Sequence, residues 1–186
     1  MSKRTTPYSD TELIAVIHGQ TGREREMACS ELYSRYGQRA YVYCRRILDD
    51  SRSAEDVLQE TFIRVIKSAQ NGEQIINLQA FIFRIARNLC LNVKRQRKSS
   101  LIQSDEFEYP HSDNQFENQD LKEVLGLSLN ILPDDQREAV VLQLYNGYSY
   151  QEIGDMMNVP VTTVRNWVVR AKVSLRKTLA PYFQDK

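Results

Sequence analysis

Apolar residues along this chain recur every three or four positions, the period of an amphipathic helix, and no sustained alternation of the kind a strand needs is present. Ser9 and Glu12 form a capping-box pattern ahead of Leu13, Ile14, Val16 and Ile17, which predicts a short first helix. Gly19 to Arg25 interrupts it. A second helix is expected from about Met27 to Leu48, with Leu32, Tyr36, Ala40, Tyr43 and Ile47 on one face, and Asp49 to Ser53 is the next break. A third is expected from about Ala54 to Ala69, and a fourth from about Leu78 to Arg97 after Asn71-Gly72.

Between Ser99 and Asn118 the apolar period vanishes into Ser, Gln, Asp, Glu and Asn, with Pro110, the composition of a solvated linker. Helical periodicity returns near Gln119, pauses at Leu132-Pro133 and stops at Asn146-Gly147, where glycine suits a left-handed C-cap. The chain therefore reads as all-α, two small helical domains joined by a flexible acidic linker: residues 1–98, 99–118 and 119–186.

Ser149 to Leu175 reads as a helix-turn-helix. A second capping box, Ser149 with Glu152, starts a helix expected to reach about Met157. Asn158 tolerates the positive φ of the turn, Gly154 permits close helix crossing, and Pro160 blocks continuation and helps Thr162 or Thr163 open the next helix. Val164, Val168, Ala171 and Leu175 share its inner face, with Trp167 packing on the flank. Arg165, Asn166, Val169, Arg170, Val173 and Arg176 point outward. Arg suits guanine and Asn suits adenine in the major groove, so this face fits duplex DNA; the plain alternative is a helical hairpin with a solvated basic face.

The net charge of +1 over 186 residues does not suggest a protein that coats nucleic acid, but it is a cancellation of blocks. Arg84, Arg87, Lys94, Arg95, Arg97 and Lys98 crowd the fourth helix with no acid among them; the linker is acidic; Met156 to Gln184 carries only basic charge. On the fourth helix Phe81, Ile82, Ile85, Ala86, Leu89 and Val93 form an apolar arc, and Arg84, Arg87, Asn88, Lys94, Arg95 and Lys98 lie opposite. Asn88 within that stripe can hydrogen-bond an exposed base edge while its neighbours hold phosphates. On the third helix Glu55, Asp56, Gln59, Glu60 and Ile63 form one face. Acids near a helix start are favourable on the dipole, but Ile63 beside Gln59 and Glu60 makes a mixed patch that suits a protein partner.

Cys29, Cys44 and Cys90 lack metal-knuckle spacing and read as reduced core thiols of a cytosolic protein. His18 and His111 are isolated, and no nucleophile constellation, metal site or cofactor motif is found, which argues against a recombinase or other DNA-processing enzyme. No apolar run is long enough to span a bilayer, and the N-terminus lacks a signal-peptide core.

Four segments taken together, Ala54-Glu55-Asp56-Val57-Leu58-Gln59-Glu60-Thr61-Phe62, Phe83-Arg84-Ile85-Ala86-Arg87-Asn88, Leu132-Pro133 and Ser149-Tyr150-Gln151-Glu152-Ile153-Gly154, resemble the bacterial extracytoplasmic-function (ECF, group IV) sigma factors of the sigma-70 family, from about Asp10 to Leu179. The resemblance implies a cytoplasmic, non-catalytic subunit that joins core RNA polymerase, selects promoter DNA and opens it in a stress or envelope response, with an anti-sigma factor as a further partner and no membrane insertion. It implies that Asp56, Gln59, Glu60 and Ile63 sit against core polymerase. Arg84, Arg87, Asn88, Lys94, Arg95 and Lys98 would meet the minus-10 element, Asn88 holding a flipped base. Tyr150, Gln151, Thr163, Arg165, Asn166, Val169 and Arg170 would contact the minus-35 element, and the acidic linker would thread toward the RNA path. The family usually has Gly where Thr163 stands and often Arg or Lys where Trp167 stands, and Ala69 to Gly72 lacks the aromatic that relatives place beside the flipped base. Promoter preference is expected to shift accordingly. A stand-alone helix-turn-helix regulator is the alternative, and it leaves the basic fourth helix without a role.

Overall fold

The computed structural model describes residues 8–103 and 121–183, which form eight α-helices and a closing 3₁₀ turn, with no strand among the described residues. Most of the linker expected at Ser99 to Asn118 lies outside the described residues, as does the expected helix start at Gln119.

Helix α1 (Asp10–Gly19) opens on the Ser9–Glu12 capping box and buries Leu13 and Ile17. It is pinned to α2 (Arg23–Leu48) by Asp10, which accepts from Arg35 Nη1 at 2.7 Å and Tyr36 Oη at 2.5 Å. Burial and the neighbouring Asp10 push the Tyr36 phenol up to about 12. Helix α2 begins earlier than the expected Met27, because Gly22 takes a positive φ of 61° and turns the chain at once into the helix.

Helix α3 (Ser51–Gln70) also starts before the expected Ala54. The Asp49 to Ser53 stretch that reads as a break is a cap: Asp49 closes α2 in the left-handed region at φ 53°, and the Asp50 carboxylate accepts from Arg52 N at 3.2 Å and Ser53 N at 3.1 Å. Its hydrogen bonds from Ser53 hold the Asp50 carboxyl down at about 2. Helix α4 (Leu78–Gln103) runs on past the residue at which the domain boundary was expected. From α4, Arg97 reaches back to Leu48 O at 3.1 Å, Asp50 Oδ2 at 2.7 Å and Ser53 Oγ at 2.7 Å, and so fastens the α2–α3 corner.

The second unit comprises α5 (Leu121–Asn130), α6 (Asp134–Leu144), α7 (Tyr150–Met157) and α8 (Val161–Leu179), followed by the 3₁₀ turn Ala180–Phe183. Helix α8 packs against α5, α6 and α7. Val164, Val168, Ala171 and Leu175 are all buried, the inner face that its periodicity predicts.

The two units are not independent bodies in the structure. Helix α2 packs on α6 and α4 touches α7, and the buried side chains join into one cluster. Phe83 of α4 sits between Tyr43 of α2 and Tyr148 of the second unit, edge-on to each, with ring centroids 5.6 and 5.4 Å apart.

Candidate nucleic-acid interface

Helix α3 presents the face that its sequence predicts. Glu55, Asp56 and Gln59 are exposed, Glu60 is half-buried, and Ile63 keeps 46% of its surface in water, while Val57, Leu58, Thr61, Phe62 and Val65 are buried behind them. Glu60 is tied one turn on to Arg64, Nε to Oε1 at 2.6 Å. Grooves flank this ridge. One of about 380 Å³ lies toward α2 beside Tyr33, Tyr41, Glu55 and Gln59; the other, about 340 Å³, lies toward α4 beside Asp56, Glu60, Leu89 and Asn92. A raised mixed ridge between two grooves can be gripped from both sides by a protein surface.

Helix α4 departs from the simple picture of one apolar arc backed by one basic stripe. Arg84, Asn88, Arg95 and Lys98 are exposed together. Arg87 and Lys94 instead share a strip with buried Phe83 and Cys90, and that strip faces the second unit. Arg87 Nε donates to Glu138 Oε1 of α6 at 2.7 Å, and Lys94 pairs with Asp134. The apolar arc read from the sequence omitted Phe83, because a helix packed on two sides has no single inner face. Beneath this strip the Cys90 thiol is raised by its hydrogen bond with Cys44 and by burial, which leaves it protonated and unreactive.

The helix-turn-helix is built as its residues dictate. Ser149 Oγ accepts from Glu152 N at 3.3 Å and Ser149 N donates to the Glu152 carboxylate at 2.8 Å. Ser149 Oγ also donates to the Glu152 carboxylate at 2.7 Å, and the bonds that this carboxylate accepts from the Ser149 backbone and hydroxyl lower its pKa. Asn158 takes the left-handed conformation at φ 55°, and Gly147 ahead of the motif has φ 74°. A Cβ on Gly154 would stand 2.8 Å from Val159 O, so only glycine lets the turn fold back this closely. Neither threonine caps α8, contrary to the expected start. Pro160 is the N-cap, the helix begins at Val161, and Thr163 N donates to Pro160 O at 2.9 Å. Proline fixes the extended entry, so no side-chain cap is needed to set the angle.

Of the residues expected to touch duplex DNA, Gln151, Arg165, Asn166, Val169 and Arg170 are exposed, whereas Tyr150 and Thr163 are half-buried. Gln151 Nε2 is already engaged with Asp155 Oδ1 at 3.0 Å. Trp167 packs against the core at the flank. The outward Arg and Asn side chains stand near the start of α8, where a recognition helix meets base edges. Sequence reading missed Tyr43, Asp134 and Glu138, which hold α4 to the second unit; partners so far apart along the chain leave no local pattern.

No helix among the described residues is long and apolar enough to cross a membrane, and no group of three or more His, Cys, Asp or Glu among them is placed to hold a metal.

Residues 32–100 match Sigma-70 region 2, and residues 122–175 match Sigma-70 region 4. The chain is 32% identical over 185 residues to the ECF RNA polymerase sigma factor SigE of Mycolicibacterium smegmatis, covering 95% of this chain and 72% of that one. It is 27% identical over 154 residues to the ECF RNA polymerase sigma factor SigM of Bacillus subtilis, covering 81% and 94%. The fold is shared with the sigma factor RpoE solved with the anti-sigma factor NepR from Bartonella quintana (TM-score 0.68, 24% identity, 89% and 100% covered). It is shared too with CnrH solved with the cytosolic domain of CnrY (TM-score 0.66, 21% identity, 92% and 97% covered). The region 2 match accounts for helices that a stand-alone helix-turn-helix regulator would leave without a role. The chain belongs to the extracytoplasmic-function sigma factors of the sigma-70 family, and its function is that of an RNA polymerase sigma factor.

Proposed function

We propose that three surfaces divide the work of promoter selection and opening between them. The α3 ridge of Asp56, Gln59, Glu60 and Ile63 docks on core polymerase. Arg84, Arg87, Asn88, Lys94, Arg95 and Lys98 of α4 take the minus-10 element, cations on the backbone and Asn88 on an unstacked base. Tyr150, Gln151, Thr163, Arg165, Asn166, Val169 and Arg170 take the minus-35 element as duplex, Tyr150 and Thr163 from beneath the more exposed side chains. Residues 1–98, 99–118 and 119–186 act as polymerase-binding unit, linker and upstream-element reader.

The observation that carries this reading is that one chain holds an outward Arg165, Asn166 and Arg170 face on a rigid helix-turn-helix and, separately, an exposed mixed ridge on α3. No chemistry is assigned to the chain itself. The subgroup is group IV, the compartment is the cytoplasm, and the setting is a stress or envelope response. An anti-sigma factor as partner is supported by the two fold relatives, each solved with a bound protein, one of which is named as an anti-sigma factor.

In vitro transcription with core polymerase, mapped across genomic DNA, tests the whole scheme. Ile63→Asp should abolish capture of core polymerase while leaving helicity unchanged. Full retention of core by a folded Ile63→Asp chain would remove α3 from the interface.

A further inference from the structure

Helix α1 ends at Gly19, ahead of the stretch from residue 32 that matches Sigma-70 region 2, yet it packs on α3 and reaches the turn that joins α3 to α4. The last four carbonyls of a helix have no partner within it. In α3 three of them are taken up by the chain that follows: Lys67 O accepts from Asn71 N at 2.9 Å, Ala69 O from Gly72 N at 3.1 Å and Ser68 O from Glu73 N at 3.1 Å. The fourth, Gln70 O, accepts from His18 Nδ1 of α1 at 3.1 Å. A carbonyl only accepts, so the proton of the neutral imidazole sits on Nδ1. The same ring covers Gly72, which turns at φ 76° and where a Cβ would stand 3.0 Å from His18 Cε1.

The far end of the turn is fixed as well. Asn77 Oδ1 accepts from Ala80 N at 2.9 Å and Asn77 O from Phe81 N at 3.0 Å, which caps α4. Between these anchors Ile75 packs on the core, while Ile76 keeps 91% of its surface in water, more than any other large apolar side chain among the described residues. Counted from Leu78 at the start of α4, Arg84 lies about 9 Å and Asn88 about 15 Å along the axis. A strand held by these two residues runs on to this turn, where an aliphatic side chain can press against an unstacked base.

We propose that His18 is a positioning residue for base choice in the melted element: through Gln70 O and Gly72 it holds the turn of residues 71–77 so that Ile76 meets the strand in one register. The proposal rests on the reading of α4 as the minus-10 surface. His18 acts from behind the turn, without touching DNA. A merely structural role would lower thermal stability and weaken opening on every promoter alike, whereas a positioning role changes the ratio between promoters.

The test uses holoenzyme reconstituted with core polymerase, on promoters that differ only in single bases of the melted minus-10 element. Permanganate reactivity of unpaired thymines reports opening. His18→Ala should reduce the discrimination between the best base and the next about fivefold at one position, with core capture and binding of duplex minus-35 DNA unchanged. His18→Asn, whose amide nitrogen stands where Nδ1 stands, should restore it. His18→Phe keeps a ring over Gly72 without the donor and should not. Ile76→Ala should lose discrimination at the same position, and it carries the test alone should His18→Ala fail to fold, since its side chain lies almost wholly in water. In the free chain, ¹⁵N NMR of the neutral His18 ring should show the proton on Nδ1. Full discrimination in His18→Ala or Ile76→Ala, equal behaviour of the Asn and Phe variants, or a proton on Nε2 would overturn the proposal. The α4 reading is judged separately by Asn88→Ala: if that variant opens every promoter as the wild-type chain does, the reading fails whatever His18 shows.

Discussion

Helices α4 and α8 carry much the same residues and stand in opposite circumstances. Each has arginines and an asparagine on a basic side and an apolar side turned inward. Helix α8 packs on α5, α6 and α7 of its own unit and keeps Arg165, Asn166, Val169 and Arg170 in water. Helix α4 packs on its own unit and again on its neighbour, so Arg87 and Lys94 are already paired. A basic stripe is thus an inventory of charge, and the packing decides how much of it is available.

The comparison breaks most visibly in stability. Phe83→Ala on α4 removes the ring between Tyr43 and Tyr148 and should cost about 3–5 kcal/mol in thermal unfolding. Val169→Ala on α8 should change it by no more than about 0.5 kcal/mol, because that side chain is half exposed. Equal losses would mean that the two helices are buried alike. Next in size, Gly154→Ala pushes a methyl against Val159 O and should destabilise the second unit by about 1–3 kcal/mol. Upstream-element binding should fall with it in a duplex shift assay.

In the assembled polymerase, Arg165→Ala should cost about 1–3 kcal/mol on promoters with the matching base and relax choice at that base, whereas Lys94→Ala should weaken all promoters evenly. Identical promoter profiles for the two variants would erase the distinction between base reader and backbone holder. The smallest effect is at the α2–α3 corner that supports α4. Asp50 has its folded pKa lowered from 3.8 to about 2, so its stabilising contribution is full above 3.8 and is lost as pH falls toward 2. The difference in Tm between the wild-type chain and Asp50→Ala should therefore shrink across that window. A constant difference from pH 5 to pH 2 would show that the cap does not titrate there.

The readable parts of this molecule were those whose causes are local. Both capping boxes, the left-handed Asn158 and the inner face of α8 follow from side chains within a few residues of one another, and each stands in the structure as its spacing implies. The faces of α3 were legible for the same reason, since a single packing side yields a single period. Caps that resemble loops were misread: Gly22 and Asp50 begin helices at positions whose composition suggests a break. Cross-unit contacts left no trace. Nothing near Glu138 in the sequence announces Tyr43 or Arg87, and its place in α6 gives no hint that it is buried.

Arg97 illustrates a further consequence. It belongs to the densest basic run in the chain, yet it spends its guanidinium on Leu48 O, Asp50 and Ser53. A strand bound to α4 displaces counterions only for cations that reach its phosphates, and each such contact steepens the fall of log K with log salt by roughly 0.7. Arg84, Arg95 and Lys98 are exposed for such contacts, Arg87 and Lys94 make them only by giving up Glu138 and Asp134, and Arg97 is held at the α2–α3 corner. The slope of a salt titration therefore counts ions released to solvent by the cations that packing leaves to the strand, a smaller number than the basic run contains.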